Sequence, residues 1–184
     1  MTLLLDLLYG VKMMICNEHI VGITGKSGVG KSTLSEILFP DHYHLDIDKV
    51  GHIAINKNAE EINKSLGIDI SKISRVELGD IVFTNRDAMY LVSDYIYADM
   101  RIIIEDTLEK YDKVVLDWIL LPKTLYFEMC DLTILVTADE SERKKRVLIR
   151  DKISEEYLAK RDSAGISYKE NNFDLVIRNN YTVK

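Results

Sequence analysis

The chain has 184 residues, 47% of them hydrophobic and 29% charged, which is typical of a folded globular protein. This length favours a single domain with its own core, and a formal net charge of −6 argues against a nonspecific nucleic-acid binder. Two cysteines, Cys16 and Cys130, are too few for a disulfide framework and favour a reducing compartment. We therefore expect one cytoplasmic domain over residues 1–184 that does not bind nucleic acid, with its oligomeric state left open.

The first 16 residues form an apolar extension, MTLLLDLLYGVKMMIC. Asp6 and Lys12 interrupt this extension, and the run is too short to cross a bilayer. It also lacks the basic start and the small-residue cleavage site of a secretory signal. Two interpretations stay open: an additional helix packed on the domain or on a neighbouring molecule, or a later start of the chain at Met13 or Met14. Neither interpretation predicts a membrane partner.

The rest of the chain alternates short runs rich in Ile and Val with longer, helix-periodic segments. This alternation predicts an α/β domain with a mainly parallel sheet. The region 55–110 has no convincing strand, and we expect a helical subregion over one end of the sheet. Strands are predicted over 19–24, 43–46, 113–116, 132–137 and 175–178, and helices over 31–39, 49–65, 86–97, 101–110, 141–150 and 154–163.

A glycine-rich segment, GKSGVGKST, joins the first predicted strand to the first predicted helix. It fits the pattern G-x-x-x-x-G-K-[ST] in the strand–loop–helix context that this phosphate-binding motif requires. Glycines let backbone N–H groups close around phosphates, and the helix N-terminus adds a favourable partial charge. We predict that Lys31 reaches the β- and γ-phosphates of a nucleoside triphosphate and that Ser32 binds Mg²⁺. The predicted nucleotide-binding residues are Gly25, Lys26, Ser27, Gly28, Val29, Gly30, Lys31, Ser32 and Thr33.

Three aspartates follow predicted strands. Asp117 ends the apolar run in DKVVLDW and has the form of a Walker B aspartate, which assists Mg²⁺. Asp46 and Asp48 follow the second strand, and alternation along an extended chain would point both carboxylates to one side. One of them could accept a proton from an acceptor hydroxyl while the other helps with a metal. The alternative is a pair of solvated turn aspartates.

A basic segment, SERKKRVLIRDKISEE, falls on a predicted helix near the end of the chain. Arg143, Arg146 and Arg150 share one face of that helix, since their offsets are three and four. Guanidinium groups over a triphosphate would stabilise the charge that moves during phosphoryl transfer. We therefore predict a lid over about residues 141–163 in which Arg146 and Arg150 are catalytic. The alternative is a solvated basic face balanced by the glutamates that follow.

These elements, in this order, resemble the dephospho-coenzyme A kinases, a family of P-loop nucleoside and nucleotide kinases. The similarity runs from about residue 19 to residue 180, nearly the whole chain apart from the extension. GITGKSGVGKST resembles the nucleotide-binding opening of the family, HLDIDKVGH its D-x-D element, and SRVELGDIVF a more specific segment that carries Arg75. VVLDWILL, RVLIRDKISEE and FDLVIRNN are similar to later family motifs, the last with Asp174 and Asn179 on family positions.

The resemblance implies a P-loop kinase fold with a five-stranded parallel sheet, a helical acceptor-binding region and an arginine lid. It implies transfer of the γ-phosphoryl group of ATP to the ribose 3′-hydroxyl of dephospho-coenzyme A, with Mg²⁺ at Ser32 and Asp117. Asp48 lies on the position that serves as the base in that family, and Asp46 and Arg75 would complete the acceptor side. The charge on the transferred group would be spread over Mg²⁺ and the side chains of Lys31, Arg146 and Arg150.

Some features of the family are missing. A His-Pro dipeptide has no counterpart near residues 95–99, and the proline of a P-L-L element is Ile119 here. The acidic residue that usually follows this element is replaced at Pro122 and Lys123, and a glutamine that closes the lid helix is absent around residues 163–165. Two alternatives therefore stay open: a kinase for another nucleoside or nucleotide, and a degenerate kinase that binds ATP without efficient transfer.

Overall fold

The computed structural model describes residues 18–72 and 75–180. The N-terminal extension, residues 1–16, lies outside the described residues, and so does the prediction made for it. The side chain of Arg75 is also outside this description, so its predicted role in holding the acceptor stays a prediction.

Five parallel strands form one sheet in the order β2-β3-β1-β4-β5. They are β1 Ile20–Thr24, β2 Tyr43–Asp46, β3 Val114–Asp117, β4 Leu132–Thr137 and β5 Leu175–Arg178. All five strand predictions are confirmed to within one residue, because the strands at the centre of a parallel sheet are apolar on both faces. Asp46 and Asp117 are direct neighbours in the register of β2 and β3, so both carboxylates lie at the carboxyl edge of the sheet.

Seven α-helices surround the sheet in the described part of the chain. They are α1 Lys31–Leu38, α2 Ile47–Lys57, α3 Ala59–Leu66, α4 Arg75–Thr84, α5 Arg86–Lys110, α6 Glu140–Asp151 and α7 Glu155–Ala164. Short 3₁₀ turns occupy Leu121–Lys123, Leu125–Phe127 and Glu170–Asn172. The predicted α/β architecture with a five-stranded parallel sheet is therefore confirmed, and the helical subregion between β2 and β3 consists of α2 to α5.

Three helix predictions in that subregion, 49–65, 86–97 and 101–110, were wrong in their boundaries, and α4 was not predicted. The segment predicted as one helix is divided at Asn58, whose side-chain Nδ2 donates to the Ala54 carbonyl at 2.9 Å and to Asp99 at 2.7 Å. The interruption predicted near residue 99 does not occur, and α5 continues for 25 residues. Asp99 is held there by Lys57 and Asn58 and Met100 is buried against α2, so tertiary contacts maintain the helix.

The core lies on both faces of the sheet. On one face, α2, α5 and the connection after β3 bury a cluster that includes Ile47, Ile104 and Leu121. On the other face, α1 packs Leu34 and Leu38 against residues of β1 and β4. Both faces of the central strands are therefore covered, which leaves the carboxyl edge of the sheet as the open side where loops can form a site.

The connection after β3 packs closely on β1. A Cβ atom built on Gly22 would lie 2.7 Å from Cys130 Sγ, so a larger residue at position 22 would displace this connection. The Cys130 thiol donates to the Tyr126 carbonyl at 3.1 Å, and burial raises the pKa of the thiol to about 12. Cys130 therefore behaves as a packed, protonated side chain.

Helix α5 has 25 residues, but charged residues occur along it. Across residues 18–72 and 75–180, no helix combines the length and the apolar character needed to cross a membrane.

Candidate active site

The loop over residues 25–30 leaves β1 and enters α1 with three glycines at positive φ, namely 142° at Gly25, 86° at Gly28 and 93° at Gly30. A Cβ atom on Gly30 would lie 2.3 Å from Asn179 Nδ2, so that position requires glycine for space as well as for conformation. Gly30 is the N-cap of α1, and no side chain of the described residues caps this helix. The first N–H groups of α1 are therefore free to bind an anion.

Lys31, Ser32 and Asp117 meet at the start of α1. Lys31 Nζ lies 3.4 Å from Asp117 Oδ1, and Ser32 Oγ donates to Asp117 Oδ2 at 2.9 Å. The side chains of Lys31 and Asp117 are each only 10% exposed. Burial raises the pKa of Asp117, while the charge of Lys31 and the hydrogen bond from Ser32 lower it. The structure thus brings together the residues predicted for phosphate and metal binding.

A hydroxyl and a carboxylate in direct contact form an oxygen donor set of the kind that Mg²⁺ prefers. Protein sites for Mg²⁺ typically supply only one or two such groups and leave the other positions to water and substrate phosphates. Ser32 and Asp117 fit that description.

Asp46 and Asp48 have different environments, and the expected alternation along an extended chain was wrong. The strand ends at Asp46 and α2 begins at Ile47, so Asp48 lies in a first helical turn. Asp46 caps α2: its carboxylate accepts from the Lys49 N–H at 3.0 Å and pairs with Lys49 Nζ at 2.8 Å. Asp46 is therefore committed to the helix terminus, whereas Asp48 is buried close enough to Lys31 and Asp117 for their charges to act on it.

The carboxyl of Asp48 has a pKa raised from 3.8 to about 6. Burial is the main cause, and the negative charges of Asp117 and Asp46 add to it, while Lys31 opposes it. The backbone of Ile119 also favours the ionised form of Asp48 and lowers its pKa. Proline at position 119 would have no N–H and could not make this contribution, so the departure from the family pattern bears on the pKa of Asp48.

The basic face predicted for Arg143, Arg146 and Arg150 is confirmed, since all three side chains reach the phosphate loop. Arg150 Nη2 donates to Ser27 Oγ at 2.9 Å, and Arg146 Nη1 donates to the Gly28 carbonyl at 3.3 Å. Arg143 is buried and bonds the Ser27 carbonyl at 3.1 Å. The positive side chains of α6 thus lie beside the loop that would hold the nucleotide.

Helix α7 and the helical subregion contact each other. Lys160 on α7 forms an ion pair of 3.1 Å with Asp80 on α4. Ser154 caps α7, accepting from the Tyr157 N–H at 3.1 Å. The connection from α6 to α7 turns at Lys152, the one described non-glycine residue with positive φ (53°). The helices on both sides of the site are therefore joined across its rim.

Tyr168 belongs to this site although nothing in the sequence pointed to it. Its hydroxyl donates to the Ile119 carbonyl at 2.9 Å, and Thr24 Oγ1 donates to the same carbonyl at 3.1 Å. Burial raises the pKa of Tyr168 to about 12, so the hydroxyl keeps its proton and remains a donor. Tyr168 lies in an irregular segment without periodicity or motif, which is why only the folded chain reveals it.

A cavity of about 220 Å³ adjoins Tyr168, with Lys123 and Lys169 among its lining residues. A second cavity, of about 250 Å³, lies between α5 and the connection after β3 and includes Trp118 and Arg101. Lys123 lines both cavities.

Comparison with known proteins gives one consistent result. A family model described as dephospho-CoA kinase matches residues 19–184. The dephospho-CoA kinase of Fusobacterium nucleatum is 31% identical, over 88% of this chain and 89% of that protein. The dephospho-CoA kinase of Carboxydothermus hydrogenoformans is 29% identical, over 90% of this chain and 87% of that protein.

Solved structures have the same fold. The crystal structure of a Thermus thermophilus protein matches with a TM-score of 0.74 and 27% identity, over 89% of this chain and 90% of that chain. A dephospho-CoA kinase from Campylobacter jejuni matches with a TM-score of 0.51 and 24% identity, over 89% of both chains.

Proposed function

Since this chain belongs to the dephospho-CoA kinase family, we propose that it transfers the γ-phosphoryl group of ATP to the ribose 3′-hydroxyl of dephospho-coenzyme A, giving ADP and coenzyme A. The observation that carries this proposal is the convergence of Lys31, Ser32, Asp117 and Asp48 at the carboxyl edge of the sheet. Two cysteines and the use of ATP support a cytoplasmic place of action.

The phosphate loop and the first turn of α1 hold the triphosphate through backbone N–H groups and Lys31. Ser32 and Asp117 would hold Mg²⁺, which when bound neutralises charge on the phosphate oxygens. Lys31 separates from Asp117 to bind the β- and γ-phosphates, a short movement from its present distance of 3.4 Å. Lys31 would then face the phosphates in place of Asp117, and Asp117 would face Mg²⁺ in place of Lys31.

Asp48 accepts the proton of the acceptor hydroxyl as that oxygen bonds to the γ-phosphorus and the bond to the β-phosphate oxygen breaks. A carboxylate with a pKa of about 6 is ionised at neutral pH and more basic than an ordinary aspartate. The helical subregion α2 to α5, together with Arg75, would bind the acceptor, and the lid would cover the reacting groups. Much of the rate enhancement would come from positioning and electrostatics.

Release of ADP with a panel of acceptors tests the proposal. Dephospho-coenzyme A should support steady release in the presence of ATP and Mg²⁺. Release with a nucleoside or nucleotide instead would identify a kinase with another acceptor. No release with any acceptor, combined with tight ATP binding, would identify a nucleotide-binding protein without transfer.

We expect the rate of transfer to fall as the pH drops below about 6. Asp48 acts only when ionised, and its raised pKa moves the loss of activity upward from the range of an ordinary aspartate. The measurement is kcat/KM for dephospho-coenzyme A between pH 4.5 and 8 at saturating ATP. A profile that stays flat down to about pH 4.5 would contradict the role of Asp48 as base.

Replacing Arg150 with alanine should lower kcat by about 10³-fold and change the ATP dissociation constant much less. The Arg150 side chain is 60% exposed and bonds Ser27 Oγ, so it lies beside the phosphate loop but is not required for the fold. Lys145, which is 67% exposed on the same helix, offers a control in Lys145→Ala. Arg146→Ala should lower kcat and also weaken ATP binding, because Arg146 bonds the Gly28 carbonyl of the loop. An Arg150 variant with normal kcat and a raised KM for ATP would make it a ground-state binder.

A further inference from the structure

Three consecutive carbonyl groups of the phosphate loop accept hydrogen bonds from side chains outside the loop. Arg143 Nη1 bonds the Ser27 carbonyl at 3.1 Å, and Arg146 Nη1 bonds the Gly28 carbonyl at 3.3 Å. Asn179 Nδ2 bonds the Val29 carbonyl at 2.8 Å. The donors come from α6 and from the end of β5, so two separate elements hold one loop.

The direction of a carbonyl determines the direction of the N–H group in the same peptide. The described peptides are all trans, so each N–H points opposite to its C=O. Fixing the carbonyls of Ser27 and Val29 therefore directs the N–H groups of Gly28 and Gly30 to the other side of the loop. A concave row of N–H groups is the arrangement that binds phosphate. The Val29 N–H is the exception, since it lies 3.4 Å from the Lys26 carbonyl.

Arg143 is unsuited to bind phosphate itself. Its side chain is 1% exposed, and its guanidinium is paired with two carboxylates, Glu140 at 2.6 Å and Asp162. With one positive charge facing two negative ones, it adds no net positive field at the loop. What Arg143 does offer the loop is the remaining hydrogen bond to the Ser27 carbonyl.

We propose that Arg143 and Asn179 are positioning residues that hold the phosphate loop in its anion-binding conformation before the nucleotide arrives. Arg146 shares this role through the Gly28 carbonyl. The inference rests on the proposed function only in that the loop binds the phosphates of ATP. Because the loop is already ordered, less conformational entropy is lost on binding, and the gain appears as nucleotide affinity.

Two variants remove, in different ways, the hydrogen bonds from Arg143 and Asn179 to the carbonyls of the phosphate loop. Arg143→Lys keeps a positive charge for Asp162 and Glu140 but has a single ammonium group, which cannot also span to the Ser27 carbonyl. Asn179→Leu keeps the size of the side chain and the backbone bond to the Thr137 carbonyl, 2.7 Å long, while removing the donor to Val29. The matched control is Asp162→Asn, which weakens the contact between α6 and α7 and leaves the bond from Arg143 to Ser27 in place.

The test measures the dissociation constants of ADP and of inorganic tripolyphosphate at a temperature well below each melting midpoint. Arg143→Lys and Asn179→Leu should weaken both by about tenfold, with the KM for dephospho-coenzyme A unchanged. Asp162→Asn should lower the melting temperature but leave both constants within about twofold of the wild type. Tripolyphosphate lacks the nucleoside, so a matching change for both ligands places the effect at the phosphates.

Wild-type constants in both Arg143→Lys and Asn179→Leu would overturn the inference. It would also be overturned if Asp162→Asn weakened ADP as much as Arg143→Lys does, because the effect would then come from the stability of the lid. A wild-type protein that binds tripolyphosphate yet transfers nothing to dephospho-coenzyme A would contradict the proposed reaction. The dissociation constants of ADP and tripolyphosphate would still decide whether Arg143 and Asn179 position the phosphate loop.

Discussion

Replacing Lys31 with alanine is expected to reduce phosphoryl transfer by at least about 10³-fold while the domain stays folded. The ammonium group lies 3.4 Å from Asp117 Oδ1, and Lys31 is the first residue of α1, where the phosphates would bind. Removing it leaves the developing charge on the transferred group with one cation fewer. ADP release with dephospho-coenzyme A measures the loss, and circular dichroism with thermal melting checks the fold.

A matched control for Lys31→Ala is Lys49→Ala. Lys49 is also next to a carboxylate of this site, Asp46, but its side chain is 79% exposed. Its removal should change the rate by less than about threefold, because exposed ion pairs contribute little. Near wild-type turnover in a folded Lys31→Ala protein would show that this loop does not carry out the transfer.

Replacing Asp48 with asparagine should lower kcat by about 10²-fold or more. Asparagine keeps the size of the side chain but cannot accept a proton at neutral pH. The affinity for ATP with Mg²⁺ should change little, since Lys31, Ser32 and Asp117 are intact. Asp46→Asn is the paired variant: asparagine is as good an N-cap as aspartate, so α2 should stay intact and transfer should fall less.

Two results would contradict this role of Asp48. A strong loss of ATP affinity in Asp48→Asn would make the residue part of the metal site. Near-normal turnover would remove it from the mechanism.

Asp48→Asn should also stabilise the nucleotide-free protein against unfolding at neutral pH. Asp48 has a folded-state pKa of about 6 against an ordinary value of 3.8, so its ionised form opposes folding above pH 6. This difference in pKa corresponds to a loss of at most about 3 kcal/mol in the free energy of unfolding. Asp48→Asn removes this cost, and the gain in melting temperature should be largest above pH 6 and disappear as the pH falls towards 4. A variant that is less stable at pH 7 would indicate that Asp48 is a structural residue.

Sequence patterns predicted the sheet and the phosphate loop well because both depend on local signals. Apolar runs identify buried strands, and the spacing of Gly25, Gly30 and Lys31 identifies the loop whatever the rest of the chain does. The boundaries around Asn58 and Asp99 were wrong because contacts between helices decide them. Local propensity does not contain that information.

Site residues divide in the same way. Lys31, Ser32 and Asp117 occur in motifs and meet as expected. Asp46 shares a motif with Asp48, yet their roles differ because a helix begins between them, at Ile47. Asp46 caps this helix, and Asp48 lies in its first turn. Tyr168 donates a hydrogen bond to the Ile119 carbonyl, 49 positions away in the chain, and no spacing rule anticipates such a contact.

The partly buried thiol of Cys130 has a consequence for redox chemistry. Dephospho-coenzyme A, the acceptor in the proposed reaction, carries a thiol of its own, and its oxidised forms are disulfides. Exchange with such a disulfide requires a thiolate on the protein. Burial raises the pKa of Cys130 to about 12, and the side chain packs against Gly22, so Cys130 remains a thiol at physiological pH. At this cysteine, the enzyme can handle a thiol substrate without forming a mixed disulfide with it.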